Sequence, residues 1–85
     1  MQLDNFEGIQ SNIRLNIIRF RRERAFTQEQ LANELGYSQA FINQIESGQK
    51  DCNLEHVYKL ATILQCSIHD LLPNKHLNLG DKYAK

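Results

Sequence analysis

Eighty-five residues, 41% of them hydrophobic, suffice for one domain with a modest core and are too few for two. Ten basic and ten acidic residues cancel to zero formal charge, which excludes a protein that holds nucleic acid by bulk electrostatics alone. Two cysteines, Cys52 and Cys66, exclude a disulfide scaffold; with no charged start leading into an apolar run, and no apolar segment near the roughly 20 residues that cross a bilayer, the expected setting is the cytoplasm, with reduced thiols and no membrane role.

Three regions are expected: a polar N-terminal tail over 1–8, a helical domain over 9–73 and a polar C-terminal tail over 74–85. Ile13, Ile17 and Phe20, at i, i+4 and i+7, predict a first helix from about Ile9 to Glu23. It is locally basic, with Arg14, Arg19, Arg21, Arg22 and Arg24 against Glu23, and a solvated face accounts for these arginines as well as a binding face does. Thr27 with Gln30 three residues on forms a capping-box signature, so a second helix starts there, turns Leu31, Ala32 and Leu35 inward and stops at Gly36.

Ser38 is the expected N-cap of a third helix that ends near Ser47, with Gly48 just beyond. Asn53 caps a fourth, with Leu54, Val57, Leu60, Ala61 and Leu64 on one stripe; Ser67 and Asp70 cap a short fifth bearing Ile68, Leu71 and Leu72, closed by Pro73. The fold class is therefore all-α, a compact five-helix domain.

The third helix carries the functional signal. At about 100° per residue, Phe41, Ile42 and Ile45 share one third of its circumference and face the core. Gln39, Ala40, Asn43, Gln44 and Ser47 lie opposite, where a solvated face normally carries Lys and Glu. Asn and Gln offer a donor beside an acceptor, matching the N6 and N7 edge of adenine, and Ala can meet a thymine methyl. Two short helices joined by a glycine-containing turn form a helix-turn-helix, whose second member enters the major groove.

The stretch "TQEQLANELGYSQAFINQIESGQK", Thr27 to Lys50, resembles the helix-turn-helix of the Cro and phage-repressor (Xre) family of bacterial and phage transcription regulators. The likeness runs from about Ile13 to Leu72, roughly seven-tenths of the chain, and includes "LEHVYKLATIL" at the family's distance. It implies a lambda-repressor-like DNA-binding domain that binds operator DNA as a twofold dimer. Residue by residue, it implies that Gln28 donates to a phosphate and buttresses Gln39, that Gln39, Ala40, Asn43 and Gln44 read bases, and that Ser38, Ser47, Gln49 and Lys50 touch the DNA backbone. It also implies a structural ion pair between Arg21 and Glu46. Asp51 beside Lys50, and Ala40 in place of a longer polar side chain, depart from the family pattern and point to modest affinity resting on few contacts.

Cys52, His56, Cys66 and His69 invite a zinc reading, but a helix of about twelve residues holds the two cysteines some 18 Å apart, too far for one ion. The family pattern instead places Cys66 in the core between the fourth and fifth helices and Cys52 in a loop, where redox sensing is the lesser reading. No metal, cofactor or catalytic motif is expected, so the chain does not read as an enzyme. Ile68, Leu71 and Leu72 either complete the core or form a dimer contact, which Leu77, Leu79 and Tyr83 would extend. The expected function is a nucleoid-associated, sequence-specific DNA-binding transcriptional regulator, a repressor or autoregulator on a palindromic operator. A restriction-modification controller, an antitoxin with its protein partner, or an interaction module that leaves DNA alone remain open.

Overall fold

The computed structural model describes residues 6–73: residues 6–8, expected in the N-terminal tail, belong to the first helix, whereas the rest of that tail, the C-terminal tail over 74–85 and the dimer candidates Leu77, Leu79 and Tyr83 lie outside the described residues. Five helices follow in order: α1 (Phe6–Glu23), α2 (Gln28–Leu35), α3 (Gln39–Ser47), α4 (Leu54–Leu64) and α5 (Ile68–Leu71). Each boundary from α2 onward has a chemical cause. Thr27 Oγ1 accepts the Gln30 N–H at 3.0 Å while Gln30 Oε1 accepts the Thr27 N–H at 2.9 Å, closing the capping box. Gly36 and Gly48 end α2 and α3 at φ +78° and +86°, a region that L side chains enter only at a cost.

The core gathers Ile13 and Ile17 of α1, Leu31 and Ala32 of α2, Ile42 and Ile45 of α3, four residues of α4 (Val57, Leu60, Ala61 and Leu64) and Leu71 of α5. Phe20, Leu35 and Phe41 pack against it while partly exposed. Leu71 is 0% exposed, which corrects its placement as a dimer contact: Asn16 Nδ2 of α1 donates to its carbonyl at 3.0 Å and draws the end of α5 into the core. Ile68 and Leu72 are half-buried against the same core. Large apolar side chains left exposed are Leu15, Leu54 and Tyr58.

Cys52 stands in a loop as expected, but it is the more buried of the two cysteines. Cys52 lies in the core at 5% exposure, whereas Cys66 is only partly buried. Burial, with Asp51 adding to it, pushes the Cys52 thiol up to about 11, far from the thiolate that redox sensing needs. Among the described residues no three His, Cys, Asp or Glu side chains gather in a way that could hold a metal ion.

Helix α1 begins at Phe6, before the Ile9 start that its apolar period indicates. Within its first turns lies Gln10, a buried polar residue at 8% exposure. Its amide clasps the backbone of Cys52 in both directions, Nε2 donating to the carbonyl at 2.9 Å and Oε1 accepting the N–H at 2.9 Å. This clasp fixes the loop between α3 and α4 to α1. Gln10→Leu is of similar size but orphans one buried donor and one buried acceptor, so urea unfolding is expected to show a loss of about 2–6 kcal/mol at about 1–3 kcal/mol per group; a loss below about 0.5 kcal/mol would contradict the clasp.

Candidate nucleic-acid interface

Helices α2 and α3 pack closely against each other, joined by the turn at Gly36 and Tyr37. Ser38 Oγ accepts the Phe41 N–H at 3.1 Å, so α3 starts cleanly with Gln39 in its first turn. Ile42 and Ile45 anchor the helix inward, which leaves Gln39, Ala40, Asn43 and Ser47 exposed on one side with Gln44 half-buried at the edge. The Ser47 hydroxyl folds back onto the Gln44 carbonyl at 3.3 Å, and the N–H groups of Gln49 and Lys50 reach that same carbonyl at 2.9 and 3.1 Å. These donors, converging with the Gly48 N–H on one oxygen, draw the loop carrying Gln49 and Lys50 against the end of α3.

Arg21 and Glu46 are brought together as a two-pronged pair, Nε to Oε2 at 2.6 Å and Nη2 to Oε1 at 3.0 Å, with side chains only 12% and 6% exposed. The third prong of the guanidinium, Nη1, donates to the Phe26 carbonyl at 2.8 Å. Gln28 is not found buttressing Gln39. Its Nε2 donates to Glu46 at 3.0 Å and its Oε1 accepts from Asn43 Nδ2 at 3.4 Å, because the carboxylate on the neighbouring turn of α3 captures the amide first.

An aromatic wedge behind the α2–α3 turn was not legible as part of the site. Tyr37, Phe41 and His56 pack with centroids 4.8, 5.7 and 5.0 Å apart, joining the turn to the start of α4. Lys50 and Lys59 lie over the Phe41 and Tyr37 rings at 5.7 and 5.3 Å, so two cations flank the wedge. His56 also completes the cap of α4: Asn53 Oδ1 accepts the His56 N–H at 2.8 Å and His56 Nδ1 accepts the Asn53 N–H at 3.2 Å. The available signals were the i, i+4 spacing of Tyr37 and Phe41 and a histidine three residues after Asn53.

Comparison with known proteins places this geometry in a family. A family model described as helix-turn-helix (HTH_3) matches residues 17–71, more than half of the chain, and the chain belongs to that family. It is 33% identical over 57 residues to an uncharacterized HTH-type transcriptional regulator, y4dJ, of Sinorhizobium fredii, covering 67% of this chain and 74% of that protein. The HTH-type transcriptional regulator SinR of Bacillus subtilis is 28% identical over 71% of the chain, which spans 55% of SinR. The crystal structure of SinR in complex with DNA shares the fold at a TM-score of 0.64 and 23% identity, covering 69% of this chain and 95% of that one. The restriction-modification controller C.AhdI of Aeromonas hydrophila matches at a TM-score of 0.66 and 27% identity, over 69% of this chain and 86% of that one. These relatives are regulators, and the chain is a member of a regulator family and not an enzyme. No helix among the described residues is long and apolar enough to cross a membrane.

Removing one partner of the buried pair strands the other charge. Arg21→Leu is expected to lower the unfolding free energy by about 3 kcal/mol or more, and Arg21→Leu with Glu46→Leu to recover most of that; a loss in the double variant equal to the sum of the losses in Arg21→Leu and Glu46→Leu alone would mean that the pair is not coupled. The His56 side chain gives a pH dependence. Burial first, then Lys59 and Lys50, hold its pKa below the ordinary 6.5, outweighing Glu55. A depressed folded value means stability present above pH 6.5 and lost as pH falls through the folded pKa, where Nδ1 can no longer accept the Asn53 N–H. Melting temperature is therefore expected to fall from pH 8 to pH 5, more steeply than in His56→Gln; parallel curves would remove His56 from the account.

Proposed function

We propose that the chain is a sequence-specific DNA-binding transcriptional regulator, a cytoplasmic, nucleoid-associated repressor or autoregulator that reads a palindromic operator as a homodimer. The observation that carries this reading is the exposed, uncharged face of α3, Gln39, Ala40 and Asn43 with Gln44 at its edge, held between two capped helix ends and locked from behind by Arg21 and Glu46. The DNA complex of SinR supports it, since that protein shares the fold and belongs to the same class of regulators.

Laid in the major groove, Gln39, Ala40, Asn43 and Gln44 meet base edges. Ser38, Ser47, Gln49, Lys50 and the remaining N–H of Gln28 lie toward the backbone. If Gln39 and one of Asn43 or Gln44 each discriminate by about 1–3 kcal/mol, one half-site yields about 2–6 kcal/mol, which is small against the number of competing genomic sites. A twofold dimer doubles it and sets the recognition helices about 34 Å apart. With Leu71 in the core, Ile68 of α5 and Leu72 just after it are left to contribute to a dimer contact. The likeness to C.AhdI favours one second reading, a restriction-modification controller working through the same face.

A random duplex pool retained at physiological salt is expected to yield a palindrome with half-sites about one helical turn apart. Gln39→Ala is expected to relax one symmetric base pair, whereas Lys50→Ala weakens all sequences alike and lowers the salt slope by about one. No enrichment by folded protein would replace this reading with that of a protein-interaction module.

A further inference from the structure

The polar side chains behind α3 form a chain with a direction. Arg21 donates to Glu46 at 2.6 and 3.0 Å, Gln28 Nε2 donates to Glu46 Oε1 at 3.0 Å, and Asn43 Nδ2 donates to Gln28 Oε1 at 3.4 Å. The carboxylate only accepts, so the end of the Gln28 amide beside it must be the NH2 group, and Oε1 is the end that faces Asn43. That oxygen also only accepts, so Asn43 must turn its NH2 toward Gln28. Oδ1 and one N–H of Nδ2 are left for whatever meets the exposed face. The last link is long, and its sense is dictated by the two shorter ones before it.

We infer that Glu46 and Gln28 are positioning residues for base selection: they fix the polarity of the Asn43 amide, which then presents an acceptor to the groove and selects a base carrying an exocyclic amine. Adenine comes before cytosine, because its N7 also meets the remaining N–H. The inference rests on the proposed DNA-reading function and adds to it which side chain is polarised and by what. Gln39 stands outside this relay. A freely rotating asparagine amide presents donor or acceptor equally well, since its two ends have nearly the same shape. Holding it from behind converts that ambivalence into a preference before DNA arrives, without a new contact to the base.

The relay can be reversed by one atom. In Glu46→Gln one of the two Arg21 donors must face an NH2 group; the shorter contact, Nε at 2.6 Å, keeps the amide oxygen, and the NH2 takes the place of Oε1, where it gives up Arg21 Nη2 and donates to Gln28. Gln28 then turns Nε2 toward Asn43, and Asn43 turns Nδ2 outward, where it suits guanine or thymine. Gln28→Leu leaves the Arg21 and Glu46 pair in place and releases Asn43 from any fixed sense. A merely structural role for either residue would lower affinity for all sequences without exchanging one class of base for the other.

The test is the duplex selection repeated with variants. Asn43→Ala locates the base pair, as the position whose preference is lost. At that position the wild-type protein is expected to enrich amine-bearing bases, and the ratio of amine-bearing to acceptor bases on the contacted strand is expected to fall about tenfold or more in Glu46→Gln and Gln28→Leu. Circular dichroism and urea unfolding establish which variants are folded; if Glu46→Gln does not fold, Gln28→Leu carries the test. A wild-type pool without enrichment overturns the proposed function itself. Enrichment by wild type with the ratio unchanged in the folded variants, or with no position lost in Asn43→Ala, overturns the relay and leaves the DNA-reading function standing.

Discussion

The buried pair between Arg21 and Glu46 is the constraint on which the rest of the arrangement depends. One guanidinium holds a carboxylate of α3 with two prongs and the Phe26 carbonyl of the α1–α2 connection with the third. Hydrophobic residues of equal volume supply comparable stability at such a site, so the contribution of the pair lies in its geometry. A planar fork has a direction that an aliphatic contact lacks, and it sets how α3 lies across α1. Every side chain on the exposed face of α3 inherits that setting, Asn43 most directly, because Gln28 lies between it and Glu46.

The same helix shows why a locally basic segment coexists with zero net charge. Arg24 donates to the Leu64 and Gln65 carbonyls at 2.7 and 3.2 Å and so closes the C-terminus of α4, where a cation suits the helix dipole. Arg14 lies against the C-terminal end of α3, its guanidinium atoms 3.2–3.3 Å from where a Cβ on Gly48 would stand. Arg19 pairs with Glu23 at 3.6 Å and stacks over Phe20. Arg14, Arg21 and Arg24 thus serve helix ends and helix crossings of the domain itself, and Arg19 is engaged within its own helix. On the proposed reading the phosphate contacts then fall to amides, hydroxyls and Lys50, a lean set that agrees with the acidic Asp51 beside it.

What was legible in the sequence was local chemistry. Thr27 with Gln30, Ser38, Asn53 and Ser67 announce helix starts through bonds reaching three residues ahead, and Gly36 and Gly48 announce ends through their own φ. What escaped was decided by residues far away in the chain. Gln10 is polar at a core position because a backbone segment 42 residues on needs both ends of its amide. Cys52 rather than Cys66 is buried for the same reason, since Gln10 pulls that loop inward. Leu71 looked equivalent to Ile68 and Leu72 until Asn16 bound its carbonyl. Ala25 and Gln65, at φ +62° and +59°, take a conformation that their types rarely adopt; Arg24, bonded to the carbonyls at the end of α4, holds the chain at Gln65.

The candidate site was legible to the same depth. Which residues of α3 face outward follows from a period of 3.6, and that the face is uncharged follows from composition. How those amides are oriented does not, because an amide has no intrinsic sense and takes one from its neighbours. In this domain the neighbours differ from one amide to the next: Asn43 lies at the end of a chain that begins with a guanidinium, whereas no side-chain hydrogen bond holds Gln39 among the described residues. Two residues of nearly identical chemistry on one face therefore stand in different states of preorganisation. On the proposed reading the stricter base preference belongs to the shorter, anchored side chain, and the more adaptable contact to the one at the tip of the helix.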